Sequence, residues 1–151
     1  MKKNKPGTLA RNKRASYDYF LEEHYEAGLE LKGTEVKSIR QGKVSLNESF
    51  CIVKNGEVFI EGMNVTPYEQ GNRFNVDPLR TRKLLLHRRE IAKLERDKKL
   101  KGHAIVPISL YLKNGRVKLS IASGRGKKNY DKRESIKERE VDRKIRRSVD
   151  R

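Results

Sequence analysis

The chain has 151 residues, with 37 Lys and Arg against 20 Asp and Glu, a formal net charge of +17 and a sequence pI of about 10.1. That length gives room for one domain with a core plus extended ends, and the cationic excess, spread along the chain, points to a polyanion partner. A membrane partner is excluded by the lack of an apolar run of about 20 residues or a basic amphipathic helix, and the single Cys51 excludes an internal disulfide and fits burial in a reducing, cytoplasmic setting.

Residues 1–14 carry six basic side chains, no acids and a Pro6-Gly7 pair, which predicts an unstructured basic arm with no signal sequence. Order is expected from about Ser16. Between Tyr17 and Leu31, Tyr19, Leu21, Tyr25, Ala27, Leu29 and Leu31 fall on one parity while Asp18, Glu22, His24, Glu26 and Glu30 fall on the other. Period two over that length predicts a long strand, bent at Gly28. Thr34 to Gly42 then reads as a short helix, with Thr34 as N-cap, Val36 and Ile39 three apart and a glycine stop.

Two strand pairs flank Asn-Gly turns, a strong short-range hairpin signal. Phe50–Lys54 and Glu57–Ile60 surround Asn55-Gly56, and Ala104–Lys113 and Arg116–Ala122 surround Asn114-Gly115. In the second pair Val117, Leu119 and Ile121 alternate with Arg116, Lys118 and Ser120, leaving one face apolar and the other largely cationic. Between the hairpins, Thr66 to Pro78 is dense in turn formers and is expected to be a loop. Residues 82–86 follow as a strand and 88–100 as a helix, because His87-Arg88-Arg89-Glu90 resembles a helix start; Ile91 and Leu94 should face inward and Gly102 should end it.

Six strands, two tight hairpins and a helix before the last hairpin suit a mainly β fold with short helices: a six-stranded antiparallel closed barrel of oligonucleotide-binding type over 15–124. An open sandwich of the same strands is the alternative. From Gly126 on, eleven Lys or Arg accompany six acids, with Tyr130 the one aromatic. Residues 125–151 therefore form a basic tail with too little apolar surface to order itself. Val141, Ile145 and Val149 recur every four residues, so a narrow helical stripe can form on contact with a partner.

Little in the chain suggests catalysis. His24, His87 and His103 have no helical metal spacing, and Gly124-Arg125-Gly126-Lys127-Lys128 lacks the gap and the Ser or Thr of a phosphate loop. Glu22, Glu23, Glu26, Glu30 and Glu35 read more simply as charge balance than as an acid-base or metal cluster. No nucleophile stands with a base and an orienting group, so neither enzyme activity, metal nor cofactor is expected. Tyr17, Phe20, Tyr68, Phe74 and Tyr130 lie among basic residues, a mixture that suits RNA, although most of these rings are equally at home in a core.

With these segments read, the chain resembles the SsrA-binding, or small protein B, family from about Asn12 to Arg139. The likeness rests on Asn12-Lys13-Arg14-Ala15, Tyr25-Glu26-Ala27-Gly28, Glu35-Val36-Lys37-Ser38 with Arg40 and Gly42-Lys43, Asp77-Pro78 through Arg80 to Leu86, and Gly126-Lys127-Lys128 with Asp131-Lys132-Arg133. The resemblance implies a non-enzymatic adaptor for ribosome rescue by trans-translation. Its barrel binds the tRNA-like domain of transfer-messenger RNA and stands in for the missing anticodon arm. Its tail enters the empty messenger channel near the decoding centre of a stalled ribosome, against small-subunit rRNA, and becomes helical there. Elongation factor Tu and alanyl-tRNA synthetase are implied as indirect partners. The family's RNA-contacting positions fall on Glu26, Leu85, His87 and Lys118, with Arg80, Arg82 and Lys83 counted in the same set. Leu85 reads equally well as a core residue, and His87 stands where some relatives have Asn. In the tail, Lys127, Lys128, Asp131, Lys132 and Arg133 match the family's ribosome-contacting motif, and Tyr130 is placed to stack on a ribosomal base. Ser123-Gly124 stands where relatives often have bulkier residues, which predicts a loose junction between barrel and tail. The alternatives are a structural ribosomal protein with rRNA-threading tails and, behind it, an RNA-processing enzyme.

Overall fold

The computed structural model describes residues 7–70, 75–128 and 131–133. Its elements in chain order are β1 (Thr8–Arg11), α1 (Ala15–Asp18), β2 (Tyr19–Leu29), α2 (Gly33–Arg40), β3 (Val44–Ser45), β4 (Phe50–Lys54), β5 (Glu57–Glu61), β6 (Asn64–Val65), β7 (Arg82–Leu85), α3 (Arg88–Lys101), β8 (Ala104–Lys113) and β9 (Arg116–Gly126). The fold is mainly β with short helices. Six antiparallel strands pair in a ring, β8-β4-β5-β7-β2-β9 and back to β8, with β1 added to β8 and β3 paired with β6 beside them. Those six correspond to the six strands expected from the sequence.

Both Asn-Gly sequences form two-residue turns. Asn55 and Gly56 have φ of 53° and 72°, Asn114 and Gly115 of 53° and 76°, the left-handed pair that matches the twist of the flanking strands. The first turn sets Lys54 opposite Glu57, and the second sets Lys113 opposite Arg116. Inward residues of the ring, Ala27, Val58, Ile60, Leu84, Ile105, Leu110, Leu119 and Ile121, pack with Ile39 of α2 and Leu94 of α3 in one buried cluster. Cys51 lies in that cluster, and its burial pushes the thiol well above its ordinary range.

The helices differ from expectation in one cap. α2 begins after Lys32, not Thr34, because the Glu35 carboxylate accepts the Lys32 backbone N–H at 2.9 Å and so tucks one more residue into the first turn. α3 starts after His87, whose N–H donates to Glu90 Oε1 at 3.1 Å, and ends at Gly102 in the left-handed region with φ of 66°. Leu94 is fully buried, and Ile91 packs against the same core.

Two further corrections concern the N-terminal segment. Residues 8–11 of the arm expected to be unstructured form β1: the Leu112 N–H donates to Gly7 O at 2.9 Å, Leu9 and Ala10 pack on the core, and Asn12 Nδ2 donates to Pro107 O at 2.9 Å. The long strand begins at Tyr19 instead of Tyr17, preceded by the single turn α1 and offset by a bulge between Leu21 and Glu23. Gly28 is the point where β2 passes from β9 to β7, pairing with both Lys118 and Leu85. Among the described residues, no helix is long and apolar enough to cross a membrane.

Candidate nucleic-acid interface

Cross-strand register builds one face of the ring. Directly opposed residues share a face, so the pairs Tyr111 to Lys118, Lys118 to Gly28 and Gly28 to Leu85 form one row across β8, β9, β2 and β7. The neighbouring row is Ser109, Ser120 and Glu26. Alternate positions on the same strands, Ala27, Leu84, Leu110 and Leu119, are buried, which aims this face outward. Of the site residues expected from sequence, Glu26, Leu85, His87 and Lys118 come together here. With Gly28, Leu86 and Glu90 they line an open hollow of about 330 Å³. Gly28 forms part of its floor because a side chain is absent there; an added Cβ would lie 3.3 Å from Leu85 Cβ. Leu85 is 48 % exposed, so its reading as a core residue is set aside in favour of a surface one.

Glu26 is held by its own fold. Tyr111 Oη donates to Glu26 Oε2 at 2.5 Å, and Lys113 Nζ donates to Oε1 at 3.2 Å and Oε2 at 3.4 Å. The Tyr111 hydrogen bond, with Lys113 and the nearby charge of Lys118, keeps the carboxyl below its usual range. Partial burial and the Glu26 charge push the Tyr111 hydroxyl well above its own. Glu26 is therefore a fixed anionic acceptor in a cationic surround.

The basic block of 80–83 divides. Arg82, expected to bind RNA, has no exposed side chain: Nε donates to Glu35 Oε2 at 2.5 Å, Nη1 to Met63 O at 2.7 Å and Arg80 O at 2.9 Å, and Nη2 to Pro78 O at 3.2 Å. A guanidinium so surrounded organises the loop entering β7 and reaches no ligand; this corrects its assignment. Arg80 Nη2 bonds the other Glu35 oxygen at 2.6 Å and remains partly exposed. Burial of Glu35 opposes its ionisation, but Arg80, the Lys32 N–H and Arg82 outweigh it and hold the carboxyl below its ordinary value. Lys83 pairs with Glu57 at 3.0 Å on the outer side of β7.

At the other end of β2 and β9 lies the root of the tail. Arg125 and Lys127 stand over the Phe20 ring at 4.5 and 4.9 Å from its centre, and Arg14 and Lys132 over Tyr17 at 5.1 and 5.8 Å. Asp18 joins them, accepting from Arg14 Nε and pairing with Lys132 Nζ, both at 3.3 Å, while its backbone oxygen accepts the Lys127 N–H at 2.8 Å. Lys128 N–H donates to Asp131 Oδ2 at 3.1 Å, and Arg133 is exposed. The junction expected to be loose is tight: Gly124 is buried, and an added Cβ would lie 2.5 Å from Phe20 O. Tyr130, and residues 134–151 with the Val141, Ile145 and Val149 stripe, lie outside the described residues.

Sequence reasoning missed Tyr111 and Lys113, the two side chains that hold Glu26. The signal was present in the Asn114-Gly115 turn, since a two-residue turn sets Lys113 against Arg116 and hence Tyr111 against Lys118.

Comparison with known proteins bears on the whole chain. The family model described as SmpB protein matches residues 9–151. An SsrA-binding protein of Anoxybacillus flavithermus (strain DSM 21510 / WK1) is 57% identical over 148 residues, covering 98% of this chain and 96% of its own. One from Clostridium botulinum (strain Hall / ATCC 3502 / NCTC 13319 / Type A) is also 57% identical over 148 residues, covering 95% of each. A chain from the solved structure called "tmRNA-SmpB: a journey to the center of the bacterial ribosome" is 43% identical with a TM-score of 0.66, covering 83% of this chain and 92% of that one. With that match across its ring and tail root, this chain belongs to the SmpB protein family.

Proposed function

We propose that this protein is the RNA-binding adaptor of trans-translation: it binds transfer-messenger RNA and carries that RNA to a stalled ribosome. The observation that carries the reading is the convergence of Glu26, Leu85, His87 and Lys118 on one open hollow in a chain 57% identical to SsrA-binding proteins. Its chemistry suits a folded RNA. A fixed carboxylate accepts from an amino group or a 2′-hydroxyl, Lys118 meets phosphate, and Leu85, lying against Gly28, offers apolar surface to a base or sugar.

The six-strand ring supports a closed barrel of oligonucleotide-binding type as the gripping module, acting as an adaptor and not as an enzyme. The tail, 125–151, takes the second role, entering the vacant messenger channel and becoming helical against small-subunit rRNA near the decoding centre. Lys127, Lys128, Tyr130, Asp131, Lys132 and Arg133 are its contacts there, and Arg80 and Lys83 add to the RNA-facing charge. Elongation factor Tu and alanyl-tRNA synthetase are met only through the shared RNA, in the cytoplasm. A purely structural ribosomal protein is not favoured, given relatives named for binding SsrA.

Two measurements test the reading. Glu26→Ala and Lys118→Ala should each weaken transfer-messenger RNA binding about tenfold in a titration at fixed salt, the loss expected for one charge-assisted contact; wild-type affinity in both would remove the assigned face. Truncation before Gly126 should leave RNA affinity within about threefold, since the hollow lies outside the deleted segment, yet abolish peptide tagging on stalled ribosomes. Normal tagging by the truncated protein would remove the channel role of the tail.

A further inference from the structure

We propose that Tyr111 is a positioning residue for RNA binding, fixing the Glu26 carboxylate so that the hollow selects a hydrogen-bond donor on the bound nucleotide; this rests on the RNA-binding reading of that face. Three observations meet at this pair. Tyr111 lies opposite Lys118 in the row that continues through Gly28 to Leu85, so its ring belongs to the same outward surface as the hollow. Its hydroxyl donates to Glu26 Oε2 at 2.5 Å, shorter than either contact from Lys113. Residues 26 and 111 are 85 positions apart in the chain, on strands separated by β9, so the contact reaches across a whole strand.

A carboxylate on an exposed strand turns about its side-chain torsions, and ordering it on binding costs affinity. Tyrosine is suited to prevent this because it has few torsions of its own and its hydroxyl sits at the end of a rigid ring. With one oxygen taken by Tyr111 and Lys113 reaching both from the side, the acceptor sites left on Glu26 have a set direction. Such a group accepts from an amino or hydroxyl donor of the nucleotide and repels an acceptor or a phosphate. Lys113 offsets the charge of Glu26 and lets a carboxylate exist on a surface that must also approach a polyanion.

The test uses the full-length protein and transfer-messenger RNA. Tyr111→Phe keeps the ring and removes only the hydroxyl, so the fold is preserved; thermal melting checks this. In the wild-type background it should weaken binding about threefold to tenfold, chiefly through faster dissociation, with the slope of log K against log salt unchanged, since no phosphate contact is lost. In the Glu26→Ala background the same substitution should have no further effect. Equal weakening in both backgrounds would overturn the positioning role, because the hydroxyl would then touch RNA itself. Wild-type binding by Tyr111→Phe, with Glu26→Ala and Lys118→Ala still defective, would overturn this inference alone. Wild-type binding by all three would overturn the assigned face and this inference with it.

Discussion

Arg82 is a fully buried arginine, and its bonds make it costly to disturb. Arg82 meets Glu35 and three backbone oxygens inside the loop that leads into β7. Replacing it with methionine removes the Arg82 donor from Met63 O, Arg80 O and Glu35 Oε2, while Pro78 O keeps the Val65 N–H, so Arg82→Met should lose about 3 kcal/mol in denaturant titration, the low end for a broken buried pair because Arg80 still holds Glu35. Lysine should not rescue it, having no planar fork to reach several acceptors at once. The acid limb carries a second expectation. Glu35 has a folded value below its unfolded one, so its contribution is complete above the unfolded value of about 4.3 and is lost as pH falls through the lower folded value. Glu35→Gln should therefore be less stable at neutral pH and show a shallower loss of stability below pH 4; an unchanged acid limb would contradict this. At this scale the sequence was partly legible. Glu26, Leu85, His87 and Lys118 could be placed by resemblance, but Arg82 looked like its neighbours Arg80 and Lys83, because nothing in a run of basic residues reveals which one has a buried carboxylate 47 positions away.

Among elements, the hairpins were the easiest to read, since an Asn-Gly turn and alternation are local signals. β1 was not readable, because Thr8–Arg11 is ordered by pairing with Ser109–Tyr111, far along the chain. The junction of β9 with the tail misled for a related reason: two small residues suggest slack until the opposing strand is known. Gly124 faces the Phe20 carbonyl beside the bulge of β2, so Gly124→Ala must push that strand aside. The overpacking should cost about 1–3 kcal/mol. It should also loosen the contacts of Arg125 and Lys127 with Phe20, which hydrogen exchange at Lys127 would register as faster deuteration. A melting temperature equal to wild type would refute the steric reading.

For the whole molecule, the +17 charge governs association with its RNA. The logarithm of the affinity should fall linearly with the logarithm of salt, by roughly 0.7–0.9 for each phosphate contacted, and Lys118→Ala should reduce that slope by one such contact. An unaltered slope would show that Lys118 meets something other than phosphate. Composition made this scale legible from the start, whereas the order of strands around the ring depended on pairings that no local pattern encodes. One of those pairings is slight. β4 meets β8 through the single opposed pair Cys51 and Ile105, while β8 and β9 are matched by nine opposed pairs. A hoop gives way first at its thinnest stitch, so the earliest partial unfolding should part β4 from β8, admit solvent to the sheltered Cys51 thiol, and leave the β2-β9-β8 sheet with its outward row of Tyr111, Lys118 and Gly28 intact. Thiol-reactive dyes, normally shut out, would then serve as a clock for this opening.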